Sequence, residues 1–168
     1  MEPSRPFAHH SFYASARCAI NGVASAFRSE RNIRIDFAAS LLVGVASGFL
    51  GISTAEIPIV LLAAGLVASA ELLNTAIEDA VDLAQPQPHP LAARAKDVAA
   101  GGVFIAALTA GLVGLAVFVP KVLRILQGPP AVSEANLFVG FTFLAALALF
   151  LAWWTINPVR PARTFEEE

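Results

Sequence analysis

Four polar residues interrupt an otherwise apolar stretch at spacings that place them on one side of an α-helix. Glu71, Asn74, Glu78 and Asp82 follow IPIVLLAAGLVASA, fourteen residues with neither a charge nor an amide. Steps of three, four and four residues put the four side chains on one narrow helical face. A solvated helix end would scatter its charges around the helix. This polar stripe therefore favours a binding or catalytic site.

A second polar group follows the stripe after the proline-rich connection QPQPHP. Lys96 and Asp97 lie at the start of the next apolar segment, in HPLAARAKDVAAGG. Carboxylates, an amide, a lysine and a further acid are therefore expected to meet. Phosphoryl transfer uses these groups: a cation shared by carboxylates and phosphates, a lysine for developing charge, and a base near an attacking hydroxyl. The sequence has neither a Walker A stretch nor a protein-kinase glycine loop.

The composition indicates an integral membrane protein. Of the 168 residues, 57% are hydrophobic and 14% are charged, and the mean hydropathy is +0.67. A soluble domain of this size is less apolar. The single cysteine, Cys18, excludes an intrachain disulfide framework. Four apolar segments are interpreted as spans of the ~30 Å hydrocarbon core: Ile35–Ile52, Ile57–Leu83, Val98–Val119 and Leu137–Ile156.

The elements around these segments complete the predicted fold. Residues Phe12–Arg34 have apolar positions at helical spacing with arginines between them, which predicts an amphipathic helix on the membrane surface. Gly44 and Gly48 form a GxxxG pattern, typical of close helix packing. Pro120 is expected to end the third span.

The predicted fold class is an all-α integral membrane protein with this surface helix, a three-span core and an extra fourth C-terminal transmembrane helix. The predicted regions are 1–34 for the N-terminal segment, 35–120 for the core, 121–136 for an extracytoplasmic loop, 137–157 for the fourth transmembrane helix and 158–168 for a cytoplasmic tail.

The distribution of basic residues predicts that both termini are cytoplasmic. In a four-span arrangement, nine of the eleven Lys and Arg residues lie on one side: Arg5, Arg17, Arg28, Arg31, Arg34, Arg94, Lys96, Arg160 and Arg163. About 20 residues from Ile57 reach the cytoplasmic edge of the hydrocarbon, so Glu71 is expected just inside this edge and Glu78 at or beyond it. Ionisable groups at that depth are costly and are functional candidates.

Two motifs resemble those of a known protein family. ELLNTAIE, followed by an aspartate and then by HPLAARAKDVAAGGV, resembles the small bacterial membrane lipid kinases, the diacylglycerol kinase and undecaprenol kinase family. SERNIRID, before the first span, is similar to the arm of the undecaprenol kinase branch. The resemblance covers roughly residues 15–120. It implies Mg²⁺-dependent transfer of the ATP γ-phosphate to a membrane lipid hydroxyl at the cytoplasmic side of the bacterial inner membrane.

The resemblance also implies roles for single residues. Glu71 would be the general base, Glu78 a metal ligand, and Asn74, Lys96 and Asp97 contacts to nucleotide phosphates and site geometry. The partners implied are ATP, a membrane lipid and the bilayer, in a homotrimer with sites shared between subunits. No nucleic acid is expected among the partners. The ERN and HPLA motifs favour undecaprenol over diacylglycerol as the acceptor.

The chain departs from the family pattern in two places. Some members carry an acidic metal ligand five or six residues before the arm glutamate, where this chain has Ser25 and Ala24. Glu30 is therefore predicted to be the substitute metal ligand. The fourth span is outside the three-span pattern, and we expect it to tune stability or lipid access. Two alternatives stay open: a proton- or cation-conducting protein that uses the stripe as a relay, and a structural membrane subunit.

Overall fold

The computed structural model describes residues 12–128 and 132–159, and these residues form five α-helices and no strand. The helices are α1 Phe12–Ser29, α2 Arg31–Phe49, α3 Ile57–Ala84, α4 Pro90–Ile125 and α5 Glu134–Ile156. Helices α2 to α5 are each long and apolar enough to cross a membrane. The prediction of an all-α membrane protein with four spans is confirmed. Arg160 and Arg163 of the predicted tail lie outside the described residues.

The four long helices associate mainly as two pairs. Helix α3 packs along α4, and α2 packs along α5, whereas α2 meets α3 over a shorter length. Helix α1 contacts α2 and α3 only sparsely, and in the described chain α2 and α4 do not pack against each other. The fourth span therefore lies on the outer side of α2, away from α3 and α4.

Glycines allow the close approach of α2 and α5. A Cβ atom at Gly48 would lie closer than 3.0 Å to backbone atoms of Gly140 and Asn136, and one at Gly44 would overlap the ring of Phe143. The prediction of close packing at the GxxxG pattern is confirmed. Glycines of α4 differ, because Gly101 and Gly102 have nothing within 4 Å at the Cβ position within the described residues. Within the described residues, this pair therefore makes no close helix contact.

A polar network joins the start of α3 to the end of α4. Lys121 Nζ lies 2.8 Å from Glu56 Oε2 and donates to the carbonyl of Gly51 at 3.3 Å. The backbone amide and hydroxyl of Ser53 both donate to Glu56 Oε2 at 2.7 Å. These bonds lower the pKa of Glu56 from its ordinary 4.5 to about 2, chiefly through Lys121. The network therefore adds polar contacts to the packing of α3 and α4 at this end of the pair.

Two predicted helix boundaries are wrong. The surface helix ends at Ser29 rather than Arg34, because Glu30 is extended with φ −102° and ψ 124°, and α2 begins at Arg31. Helix α4 continues through Pro120 to Ile125 instead of ending before it. The proline removes one hydrogen bond of the helix, while Lys121, the residue that follows it, is held by Glu56 and Gly51.

Candidate active site

The polar stripe of α3 contains a deeply buried carboxylate. Glu71 is only 6% exposed, and it is the one buried residue of α3. Among the described residues, the other buried polar or charged side chains are Arg34 and Ser47. Isolated charges are rarely buried in proteins. A buried glutamate on an apolar helix is therefore a candidate functional residue.

Asn74 and Glu78 form the next step of the stripe toward the α3–α4 connection. Asn74 Nδ2 donates to Glu78 Oε1 at 2.6 Å. The Oδ1 atom of Asn74 is buried and has no hydrogen-bond partner among the described residues. An unsatisfied buried oxygen is costly, and one explanation is an ion or donor that the structure does not contain. The amide oxygen of Asn74 and the carboxylate of Glu78 thus lie next to each other on the same helix.

The arm between α1 and α2 approaches the stripe. Glu30 and Glu78 are both close enough to Glu71 to interact with it electrostatically. Glu30 is half-buried and makes no side-chain capping bond to α2, so its carboxylate is not engaged by the helix that it precedes. Glu30 and Glu78 therefore both lie near Glu71 within one chain.

Asp36 is a site residue that sequence reasoning missed. Its carboxyl group lies on α2 and neighbours that of Glu71. The signal was present in the sequence, since Asp36 is the one acid inside the first apolar segment. It is the last residue of the arm motif SERNIRID, and its position six residues after Glu30 places it on α2 beside the stripe.

Lys96 and Asp97 lie in the second turn of α4, next to the α3–α4 connection. Lys96 Nζ forms an ion pair with Asp82 Oδ1 at 2.6 Å, so the structure places Lys96 on the outer end of the stripe. Asp97 is exposed and makes no hydrogen bond or ion pair within the described residues. A cavity of about 500 Å³, lined by Asp82, Lys96 and residues 85–90, opens at this end.

The donor set fits a hydrated Mg²⁺ ion but not a closed metal cage. Within the described part of the chain, no three His, Cys, Asp or Glu side chains cluster so as to hold a metal ion. Mg²⁺ typically takes one or two carboxylates and completes its six ligands with waters and substrate phosphates. Glu78 and the unpartnered Asn74 Oδ1 match this smaller requirement, and Glu30, like Glu78, lies near Glu71.

Comparison with known proteins bears directly on these motifs. Over 110 residues the chain is 41% identical to the undecaprenol kinase of Bacillus subtilis (strain 168), covering 66% of this chain and 89% of that protein. It is 40% identical over 113 residues to a diacylglycerol kinase of Synechocystis sp., covering 67% of this chain and 65% of that protein. A diacylglycerol kinase of Haemophilus influenzae is 37% identical over 100 residues, covering 59% of this chain and 84% of that protein.

The family model of prokaryotic diacylglycerol kinase matches residues 17–118, which is more than half of the chain. The chain belongs to the prokaryotic diacylglycerol kinase family. The resemblance carried by ELLNTAIE and HPLAARAKD is thus confirmed, and the chain is a membrane lipid kinase, a transferase with an alcohol acceptor. Helix α5 lies beyond the region that the family match covers. No solved structure gives a significant match.

Proposed function

We propose that this lipid kinase transfers the γ-phosphate of ATP to the hydroxyl of a membrane lipid at the polar stripe of α3. The observation that supports this most is the burial of Glu71 beside Asp36, with the Asn74–Glu78 pair following on the same helical face. Glu78 lies seven residues after Glu71, which is about 10 Å along the helix. The acceptor hydroxyl would therefore lie deeper in the membrane, near Glu71, and the phosphates would lie nearer the α3–α4 connection, at Glu78.

Glu71 acts in this proposal as the general base. Its carboxylate accepts the proton of the lipid hydroxyl while the hydroxyl oxygen forms a bond to the γ-phosphorus. The bond between that phosphorus and the bridging oxygen of ATP breaks, and ADP leaves with the electron pair. Proton transfer to a positioned carboxylate contributes typically ~10²–10⁴ in rate. Burial of Glu71 keeps water away from the position where the hydroxyl would lie.

Glu78, Asn74 Oδ1 and Glu30 would hold Mg²⁺ in this proposal. Held there, such an ion would supply positive charge to the phosphate oxygens. Lys96 and Asp97 would face the nucleotide at the outer end of the stripe. Because Lys96 is paired with Asp82 in the structure, a phosphate bound there would compete with Asp82 for its ammonium group.

An apolar groove offers a place for the lipid chain. A cavity of about 290 Å³ lies between α2, α3 and α4, where α2 and α4 do not meet. Small side chains such as Ala63, Ala64 and Ala110 line it, and Asp36 and Ser40 contribute the polar atoms. A lipid chain in this groove would present its hydroxyl near Asp36 and its neighbour Glu71. We propose undecaprenol as the preferred acceptor, because SERNIRID is similar to the arm of that branch.

The proposed setting is the bacterial inner membrane, with the site facing the cytoplasm and with three copies per assembly. The charge distribution supports this orientation: among the described residues, Arg94 and Lys96 lie at the α3–α4 connection, and Lys121 and Arg124 lie at the opposite end of α4. Open glycines on α4, including Gly101 and Gly102, leave a helix face available to a partner subunit.

A lipid phosphorylation assay tests the proposal. The purified protein is incubated with γ-labelled ATP, Mg²⁺ and vesicles that contain either undecaprenol or diacylglycerol, and the products are identified by mass. We expect a labelled lipid monophosphate, with undecaprenol the better acceptor. Transfer to diacylglycerol alone would contradict the acceptor preference. Absence of transfer to any lipid, with ion flux across the vesicles instead, would contradict the kinase proposal and favour the conducting alternative.

A further inference from the structure

Arg34 joins the ends of three helices. Its side chain is 1% exposed, the most buried large side chain among the described residues. Nε donates to the carbonyl of Phe27 at 2.5 Å, and one terminal nitrogen donates to the carbonyl of Arg28 at 3.2 Å. The other terminal nitrogen donates to the carbonyl of Asn157, which directly follows α5. One guanidinium therefore binds the C-terminal ends of α1 and α5 from the start of α2.

The chemistry of helix ends explains why a buried arginine is stable there. The last carbonyls of a helix have no partner within the helix and carry partial negative charge. Two such ends meet the positive charge of Arg34 and occupy its planar donors, whose fixed geometry suits several acceptors at once. No carboxylate pairs with Arg34 among the described residues. Neutralisation of the Arg34 charge therefore depends on the C-terminal ends of both α1 and α5.

Aromatic side chains reinforce the same junction. The guanidinium carbon lies 5.0 Å from the ring centre of Trp153 on α5, a geometry that attracts a cation to the ring. Phe150 lies 5.8 Å from Trp153 and 4.8 Å from Phe37 on α2, and Phe27 on α1 lies 5.3 Å from Phe37. These rings connect α5 to the last turn of α1 through direct contacts.

The position of this junction relates it to the candidate active site. Phe27 and Arg28, whose carbonyls Arg34 binds, precede Glu30 by three and two residues. Glu30 is the extended residue between α1 and α2, and α1 has only sparse contacts with α2 and α3. The direction of α1, and with it the placement of Glu30 near Glu71, therefore depends on the bonds of Arg34 to these two carbonyls. It also depends on α5, which packs against Arg34.

We infer that α5, which lies beyond the family match, positions the Glu30 arm over the polar stripe, with Arg34 and Trp153 as positioning residues. The inference rests on the proposed function, since it assigns α5 to the metal-binding side of that site. Helix α5 supplies no reacting group. It restricts the angle between α1 and α2, so that Glu30 is held near the stripe before Mg²⁺ and ATP bind.

Kinetics with three substitutions on α5 test the inference. Trp153→Ala removes the ring over Arg34, Trp153→Phe retains an aromatic face, and Phe138→Ala removes an exposed ring at the other end of α5. We expect Trp153→Ala to raise the KM for Mg²⁺ about three- to tenfold, which corresponds to about 0.7–1.4 kcal/mol and lies within the range of a partly exposed cation–π contact, with kcat nearly retained. Trp153→Phe and Phe138→Ala should stay close to the unsubstituted protein. An unchanged KM in Trp153→Ala would overturn the inference.

A double substitution separates positioning from general stability. Glu30→Gln should itself raise the KM for Mg²⁺, and adding Trp153→Ala should then raise it no further, because the residue that α5 positions is already removed. An undiminished effect of Trp153→Ala in this background would mean that α5 acts elsewhere. If Glu30→Gln leaves the KM unchanged, both the ligand role of Glu30 and this inference fail, while lipid phosphorylation by the unsubstituted protein would still support the kinase proposal.

A distance measurement tests the same point without activity. The single cysteine, Cys18, is exposed on α1, and Asp79→Cys adds an exposed position on α3. Nitroxides at these two positions, in labelled protein diluted with unlabelled protein, report the distance between the arm and the stripe helix. We expect a narrow distribution that broadens with Trp153→Ala and not with Phe138→Ala. Equal widths in all three proteins would contradict the positioning role of α5.

Discussion

Gly48→Ala should weaken the packing of α5 on α2. The added Cβ would lie closer than 3.0 Å to backbone atoms of Gly140 and Asn136, and backbone atoms cannot rotate away as a side chain can. Overpacking of this kind costs typically about 1–3 kcal/mol, against a helix-propensity gain of up to ~1 kcal/mol. With the full propensity gain, the net expectation is a destabilisation of up to about 2 kcal/mol, or a Tm lower by up to about 8 °C.

Thermal unfolding in detergent, followed by circular dichroism, measures this effect. Gly22→Ala is the matched control, because Gly22 is also within a helix and nothing lies within 4 Å of its Cβ position among the described residues. It should leave the Tm unchanged or raise it. The packing argument would be refuted if Gly48→Ala were as stable as Gly22→Ala, since the two helices could then not be in close contact at Gly48.

Three further predictions concern the metal ligand Glu78, the fourth span and the polar network of Glu56 and Lys121. Glu78→Gln should raise the KM for Mg²⁺ more than the KM for lipid, whereas Asp79→Asn, on the exposed side of α3, should change neither; equal shifts would remove Glu78 from the metal site. A truncation after Gln127 should retain measurable kinase activity at lower stability, and a folded but wholly inactive product would contradict this. Because the pKa of Glu56 falls from 4.5 to about 2 on folding, its pairing with Lys121 stabilises fully above about pH 4.5 and is lost toward pH 2. Lys121→Met should therefore cost about 1 kcal/mol at neutral pH and progressively less in acid, and a pH-independent cost in denaturant unfolding would contradict the pairing.

Local patterns in the sequence were sufficient for the spans and for the stripe. Glu71, Asn74 and Glu78 are neighbours on one helix, so their spacing determines that they share a face. The depth of Glu71 in an apolar segment predicted its place just inside the membrane edge, whereas its burial comes from packing beside α2. The convergence of Glu30 with the stripe did not follow from spacing, and the family resemblance supplied it.

Contacts between residues distant in sequence explain most of the errors. The charge distribution predicts that Arg34 is a charge at the membrane surface, yet it binds the carbonyl of Asn157, which is 123 residues away. Its bonds to the carbonyls of Phe27 and Arg28 accompany the break at Glu30. Asp36 was missed because its single charge within an apolar segment acquires meaning only when α2 places it beside Glu71.

The continuation of α4 past Pro120 has the same type of cause. Propensity alone predicts an end there, because proline costs about 3 kcal/mol inside a helix. The turn that follows is held by the bonds of Lys121 to Glu56 and Gly51. These partners lie at the start of the neighbouring helix, and no local pattern contains them.

The central claim is that the polar stripe of α3 carries phosphoryl transfer to a lipid alcohol, with Glu71 as its base. The most direct test is single-turnover transfer from γ-labelled ATP to undecaprenol by Glu71→Gln, with Asp79→Asn as the acidic control on the same helix. Because glutamine keeps the shape but not the basicity, we expect a rate about 10²–10⁴ times lower with ATP binding retained, and an unchanged rate in the control. A Glu71→Gln protein that phosphorylates the lipid at a near-normal rate would contradict the account.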